Sequence, residues 1–110
     1  VDVPLVQFQP QDDGALWTSI NIKNLGATAT TVTVDFKPAP GFADAANYTV
    51  DIAAGAVGVV LFYDPYGNGT KAIGGAEVSS GNAMSLAVVA NQQKVNYAGD
   101  IYSTYNGFAR

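Results

Sequence analysis

The chain has 110 residues, 48% of them hydrophobic and only 13% charged, with a net charge of −4 and neither cysteine nor histidine. That length corresponds to one domain, residues 1–110, with a single core, and the apolar content excludes disorder. Without cysteine there are no disulfides or thiolate metal sites, and five scattered Lys and Arg residues build no face for phosphates, so nucleic acid is excluded as a partner.

Val3 to Phe8 is the first extended segment, apolar at Val3, Leu5, Val6 and Phe8, with Pro4 inside it. Proline is tolerated in a sheet only at an edge, a strand start or a bulge. Gln11-Asp12-Asp13-Gly14 reads as a turn. Leu16 to Lys23 then alternates, with Ile20 and Ile22 on one face and Trp17 on the other. Asn24-Leu25-Gly26-Ala27 is the next turn, with Gly26 placed to take a positive φ. Thr28 to Lys37 is the cleanest strand: Val32, Val34 and Phe36 share a face, opposite Thr31, Thr33 and Asp35.

Pro38-Ala39-Pro40-Gly41 breaks that strand, and Tyr48, Val50 and Ile52 mark another. Val57 to Tyr63 and Met84 to Ala90 are near-continuous apolar runs, the pattern of strands buried on both faces. Between them lie the loop Asp64-Pro65-Tyr66-Gly67-Asn68-Gly69 and a strand from Lys71 to Ser79 that contains Gly74 and Gly75. Asn96 to Ser103 reads as the last strand, followed by a tail carrying Tyr105 and Phe108. About seven or eight short strands at roughly ten-residue spacing, with no helical period, predict an all-β chain folded as an immunoglobulin-like antiparallel β-sandwich.

Chemistry is sparse. Absence of histidine removes the commonest general base and metal ligand. Ser79-Ser80 with Glu77 on one strand has no triad geometry, and Asp35, Asp51 and Glu77 read as solvent-facing strand residues. No catalytic residue, metal site or cofactor is expected, and the chain reads as a non-enzyme. Calcium would need more carboxylates than the single Asp64 of the 64–70 loop, so that loop reads as a turn with Gly67 and Gly69 at positive φ, and the Asp12-Asp13 turn is read the same way.

Phe36, Phe62 and Tyr48 fall on core faces, while Trp17, Tyr63, Tyr66, Tyr97 and Tyr105 remain as exposed-ring candidates. Aromatic rings serve protein interfaces or stack on sugars, and Trp17 and Tyr66 are the candidates for glycan stacking. Two sequons, Asn68-Gly69-Thr70 and Asn47-Tyr48-Thr49, make Asn68 and Asn47 glycosylation candidates, Asn68 the better placed in a loop. No run reaches the ~18 apolar residues of a membrane-spanning helix. The opening Val1-Asp2-Val3-Pro4 lacks an initiator methionine, pointing to a processed chain or one trimmed at both ends, and the neutral polar surface fits an extracellular or cell-surface location.

The order of several motifs carries a resemblance. Leu16-Trp17-Thr18-Ser19-Ile20-Asn21-Ile22-Lys23-Asn24-Leu25-Gly26 followed by Thr30-Thr31-Val32-Thr33-Val34-Asp35-Phe36, then Ile52-Ala53-Ala54-Gly55-Ala56, Ile73-Gly74-Gly75-Ala76-Glu77-Val78-Ser79-Ser80, Ala87-Val88-Val89-Ala90-Asn91 and Tyr105-Asn106-Gly107, resemble a sandwich domain of surface proteins in Chloroflexota-type filamentous bacteria. Gly75 stands where that pattern has serine. The resemblance implies an exported immunoglobulin-like domain with a surface role and supplies no catalytic residues.

The functional expectation is a structural subunit of an extracellular surface assembly, a filament of copies of this chain joined by β-strand complementation. Residues 1–10 would be the exchanged strand, through Val3, Leu5, Val6 and Phe8, because an open sheet edge accepts an extended peptide by main-chain hydrogen bonds. The same segment reads equally as an ordinary first strand of its own sheet, and Tyr102 to Phe108 is a second exchange candidate. The alternative function is a carbohydrate-binding or adhesion module, with glycans as partners.

Overall fold

A computed structural model of the chain describes residues 1–11, 14–94 and 103–107. They form eight strands and no helix: β1 Asp2–Gln11, β2 Gly14–Asn24, β3 Thr30–Pro38, β4 Tyr48–Ile52, β5 Val57–Phe62, β6 Ala72–Ser80, β7 Leu86–Lys94 and β8 Ser103–Asn106. All pairings are antiparallel, in the order β4-β3-β6-β1-β2-β7-β8, with β5 added against β2. Apart from Ser103, the strand expected over Asn96 to Ser103 lies outside the described residues, as do Asp12, Asp13, Tyr97 and Phe108.

β2 organises the sheet. One flank pairs with β7 along its whole length, from Leu16↔Lys94 to Asn24↔Leu86. The other flank is shared: β1 pairs with the first residues, Gly14 to Trp17, and β5 with Thr18 to Lys23. The sheet then curls until its far ends meet inside. Phe36 of β3 and Phe62 of β5, whose strands do not pair, pack with ring centroids 4.8 Å apart. The result is a nearly closed, barrel-like sheet, open where β4 and β5 run without a ladder between them.

Alternation explains most of the core. Val32, Val34 and Phe36 are buried at 0–2% exposure, as are Ile20 and Ile22, while Thr31 is exposed and Asp35 half-buried beside Lys37. β1 departs from strict alternation. Its register against β6 slips between Val3 and Val6, a bulge that holds Pro4, which has no N–H to give a ladder, and turns Val3 and Val6 both inward.

Two apolar runs differ from expectation. β5 is buried on one face only: Val60 and Phe62 point inward, whereas Val57, Val59, Leu61 and the following Tyr63 are 50–58% exposed. An edge strand one layer thick covers a single face, so an apolar run there leaves half its side chains in water. β7 differs less: Val88 and Ala90 are buried, Ala87 is exposed and Val89 half-buried, and both faces are covered only further on, at Ala90, Asn91 and Gln92. Gly26 does not adopt positive φ; the space a side chain would need there is filled by the Met84 thioether.

Candidate functional site

The first strand is an inner strand of its own chain. Val3, Val6 and Phe8 are 1%, 0% and 3% exposed, and Leu5, at the bulge, is 37% exposed. Its first half pairs with β6, from Asp2↔Glu77 to Phe8↔Ala72, and its end pairs with β2 from Phe8↔Trp17 to Gln11↔Gly14, leaving a connection of only residues 12–13. The Val1 ammonium donates to the Val78 carbonyl at 2.8 Å and the Val78 N–H returns a bond to Val1 at 2.8 Å.

A buried polar cluster holds this register. The Gln7 N–H donates to Thr18 Oγ1 at 2.9 Å, the Thr18 hydroxyl to Gln92 Oε1 at 2.9 Å, and Gln7 Nε2 to the same Oε1 at 3.1 Å. Gln92 Nε2 completes the circuit on the Leu5 carbonyl at 3.3 Å. Thr18 is fully buried and Gln7 and Gln92 nearly so, so each polar atom must find a partner or lose its hydration without return. Any slip of β1 would break these bonds together. Sequence reasoning passed over Gln7 and Gln92 because polar side chains on alternating strands normally face water; Thr18, by contrast, falls on the alternating face of Leu16, Ile20 and Ile22.

The ring candidates separate into two places. Trp17 stands edge-on to Tyr63 (centroids 5.8 Å, 88°), and Tyr63 to Phe8 (5.2 Å, 71°). Trp17 is therefore half-buried against its neighbours, with its indole Nε1 buried and unpaired. Tyr66 lines an open groove with Phe42, Asn68 and Lys71, and its hydroxyl donates to the Ala43 carbonyl. Burial raises the Tyr66 hydroxyl pKa, and the nearby Asp44 charge adds to the rise. No ring contact among the described residues joins Trp17 to Tyr66. The side chain of Tyr105 lies outside those described.

The 64–70 loop is built as a turn. Asp64 Oδ1 accepts the Asn68 N–H at 3.2 Å and the Gly69 N–H at 2.8 Å, while the Gly67 N–H bonds the Asp64 carbonyl at 2.9 Å. Asp64, Gly67 and Gly69 take φ of 45°, 70° and 71°. Asn68 is exposed and its Oδ1 accepts the Thr70 N–H at 3.0 Å; Asn47, just before β4, is also exposed. The sequence candidates for glycosylation thus both sit at the surface.

Other carboxylates and hydroxyls have structural partners. Lys37 Nζ lies 2.6 Å from Asp35 and 3.4 Å from Glu77. Ser80 Oγ sits 2.7 Å from Thr30 Oγ1, donates to Asn82 Oδ1 at 2.8 Å and accepts the Met84 N–H at 3.0 Å. Among the described residues no three acidic side chains are grouped to hold a metal ion, and no helix is long and apolar enough to cross a membrane. No family model, curated protein or solved structure matches the chain.

Proposed function

We propose that this chain is a non-catalytic structural subunit of an extracellular surface assembly, in which copies join by β-strand complementation. In this reading the curled sheet is an immunoglobulin-like sandwich, one layer β4-β3-β6-β1 and the other β5-β2-β7-β8, with β1 bridging them. The Phe36–Phe62 contact between unpaired strands supports two facing layers. The motif resemblance to Chloroflexota-type surface domains supports the exported, surface role.

The observation that carries the reading is the β1 slot. β1 pairs with β6 from Asp2 to Phe8 and with β2 from Phe8 to Gln11, and it sets Val3, Val6 and Phe8 in the core, so its removal would free the β6 edge and uncover the core beneath, where a strand of matching pattern would fit. The same strand supplied by the next subunit would make a head-to-tail contact that does not close, hence a filament.

Asp2 and Glu77 are Cα partners and both half-buried, so they report the pairing. Mixing the single variants Asp2→Cys and Glu77→Cys under oxidising conditions is expected to give disulfide-linked heterodimers, and the double variant a ladder of cross-linked multimers. Only an intrachain bridge in the double variant, with nothing in the mixture, would reject exchange. The glycan-binding alternative is favoured by the Phe42–Tyr66 groove alone. There, loss of polysaccharide retention in Tyr66→Ala but not Trp17→Ala would locate the site.

A further inference from the structure

We propose that the free edge of β5 is a second, isologous contact, at which two copies of this chain join β5 to β5 in antiparallel register around a two-fold axis at Val60. It rests on the self-assembly reading only in taking the partner to be another copy; the joint is a different one and does not use β1.

The described residues leave three sheet edges with one neighbour each, β4, β5 and β8. Proteins normally guard such edges with shortness, charge, proline or a bulge, because unpaired N–H and C=O groups invite another chain. β8 is guarded by its length of 4 residues, and β4 by its length of 5 and by exposed Asp51. β5 has no such device. Val57-Gly58-Val59-Val60-Leu61-Phe62 carries no charge, no proline and no bulge, and pairs in unbroken register with β2 from Val57↔Lys23 to Phe62↔Thr18. Its outward side chains Val57, Val59 and Leu61, with Tyr63, stay 50–58% exposed. Val57, Val59 and Leu61, continued by Tyr63 beyond its contacts with Phe8 and Trp17, form an exposed apolar strip along one unguarded edge.

The occupant follows from the pattern of the strip itself. Antiparallel pairing about Val60 sets Val57 beside the partner's Tyr63, and Val59 beside the partner's Leu61. Outward side chains then meet only outward ones, and inward Val60 and Phe62 stay on the core side. The strip is thus complementary to itself, the requirement for a two-fold contact. Charge agrees. In a chain of net charge −4, two copies approach most easily along an uncharged strand. Exposed Lys23 lies beside Val57 and Asp64 follows Tyr63, so the two-fold axis turns each copy's lysine end toward the other's aspartate end. Pairing would join β7-β2-β5 of both copies into one continuous sheet and draw both apolar strips together.

The test uses the full chain. Sedimentation equilibrium is expected to show a reversible dimer, weakened about tenfold or more by Leu61→Lys, the scale of one lost anchor side chain. Far-UV circular dichroism should keep its shape, and Tm measured at concentrations where both proteins are monomeric should match, since Leu61 already faces water. Mixed Val59→Cys and Leu61→Cys chains should cross-link to each other faster than either does to itself. A chain monomeric at every concentration overturns the proposal, as does a dimer indifferent to Leu61→Lys or cross-linking no faster in the mixture. If Leu61→Lys has no effect while Asp2→Cys and Glu77→Cys still link in trans, the β5 contact fails and strand exchange stands; the opposite pair of results leaves β5 as the joint.

Discussion

Single residues at strand ends hold more of this fold than their positions in the sequence advertise. Asn24 is fully buried where β2 ends. Its Nδ2 donates to the Thr28 carbonyl at 2.7 Å and the Ile52 carbonyl at 3.2 Å, and its Oδ1 accepts the Gly26 N–H at 2.9 Å. It ties β2, the 25–29 turn and the end of β4 together. Asn24→Ala would strand these backbone groups in the interior, and urea unfolding is expected to show a loss of about 2–4 kcal/mol. Gly74 is held for a different reason. A Cβ there would strike the Lys37 carbonyl oxygen and come within 2.8 Å of Phe36 Cε1, in the β3–β6 ladder. Because one of those atoms is backbone, Gly74→Ala must push β3 and β6 apart; a loss of about 1–3 kcal/mol is expected by the same measurement, against little change for Gly81→Ala, where a Cβ would meet the Thr31 carbonyl oxygen at an ordinary 3.4 Å. Sequence alone marked Asn24 only as a turn residue and Gly74 only as a glycine within its strand. Which glycine faces a neighbour's carbonyl depends on pairing across the sheet, and that pairing is invisible in a local window.

At the scale of elements, local alternation was a good guide wherever a strand has one face in and one face out. β3 and β2 present their apolar sets as the period of two requires, because the pleat alone decides that. It misled for β5 and β7, where a run of apolar residues was read as burial on both faces. What decides is the number of layers lying over a strand, and composition does not count layers. β1 was legible as an apolar segment with a proline, but the bulge that sends both Val3 and Val6 inward, and the glutamine–threonine circuit beside it, were not. That circuit makes a distinct prediction. Gln92→Ala removes the common acceptor of Thr18 and Gln7 and the donor to Leu5, so a loss of about 2–3 kcal/mol is expected. Replacing Gln7 with alanine as well should cost less than the sum of the two single losses, because one circuit cannot be broken twice. Strict additivity in the double-mutant cycle would mean that the side chains do not act as one lock.

On the scale of the whole molecule, strand count and antiparallel character could be read from turn spacing, but strand order could not. β1 finds β6, and β2 finds both β7 and β5, through pairings that join distant parts of the chain; no local pattern encodes such closure. Among the described residues the curl opens between β4 and β5, and the titratable Tyr48 of β4 reaches across to Phe62 of β5. Its ring stands edge-on to Phe62 with centroids 6.1 Å apart, and burial, then the Asp64 charge, raise its hydroxyl pKa above the ordinary 10.0. The folded chain therefore holds this proton more tightly than the unfolded chain does. That contribution is fully present below pH 10 and is lost as the pH climbs through the higher folded value, so the protein should become easier to unfold in alkali. Tyr66, raised in the same direction by burial and Asp44, adds to the effect at the neighbouring loop. Thermal unfolding followed from neutral to strongly alkaline pH is expected to show a level Tm and then a fall. Tyr48→Phe keeps the ring against Phe62 and removes the ionisation, so its fall should be shallower than that of the unaltered chain. Every other effect of alkali is common to the two proteins and cancels in the comparison. Parallel falls would show that the phenol at the opening does not ionise against the fold, and that the alkaline limit is set elsewhere in the sheet.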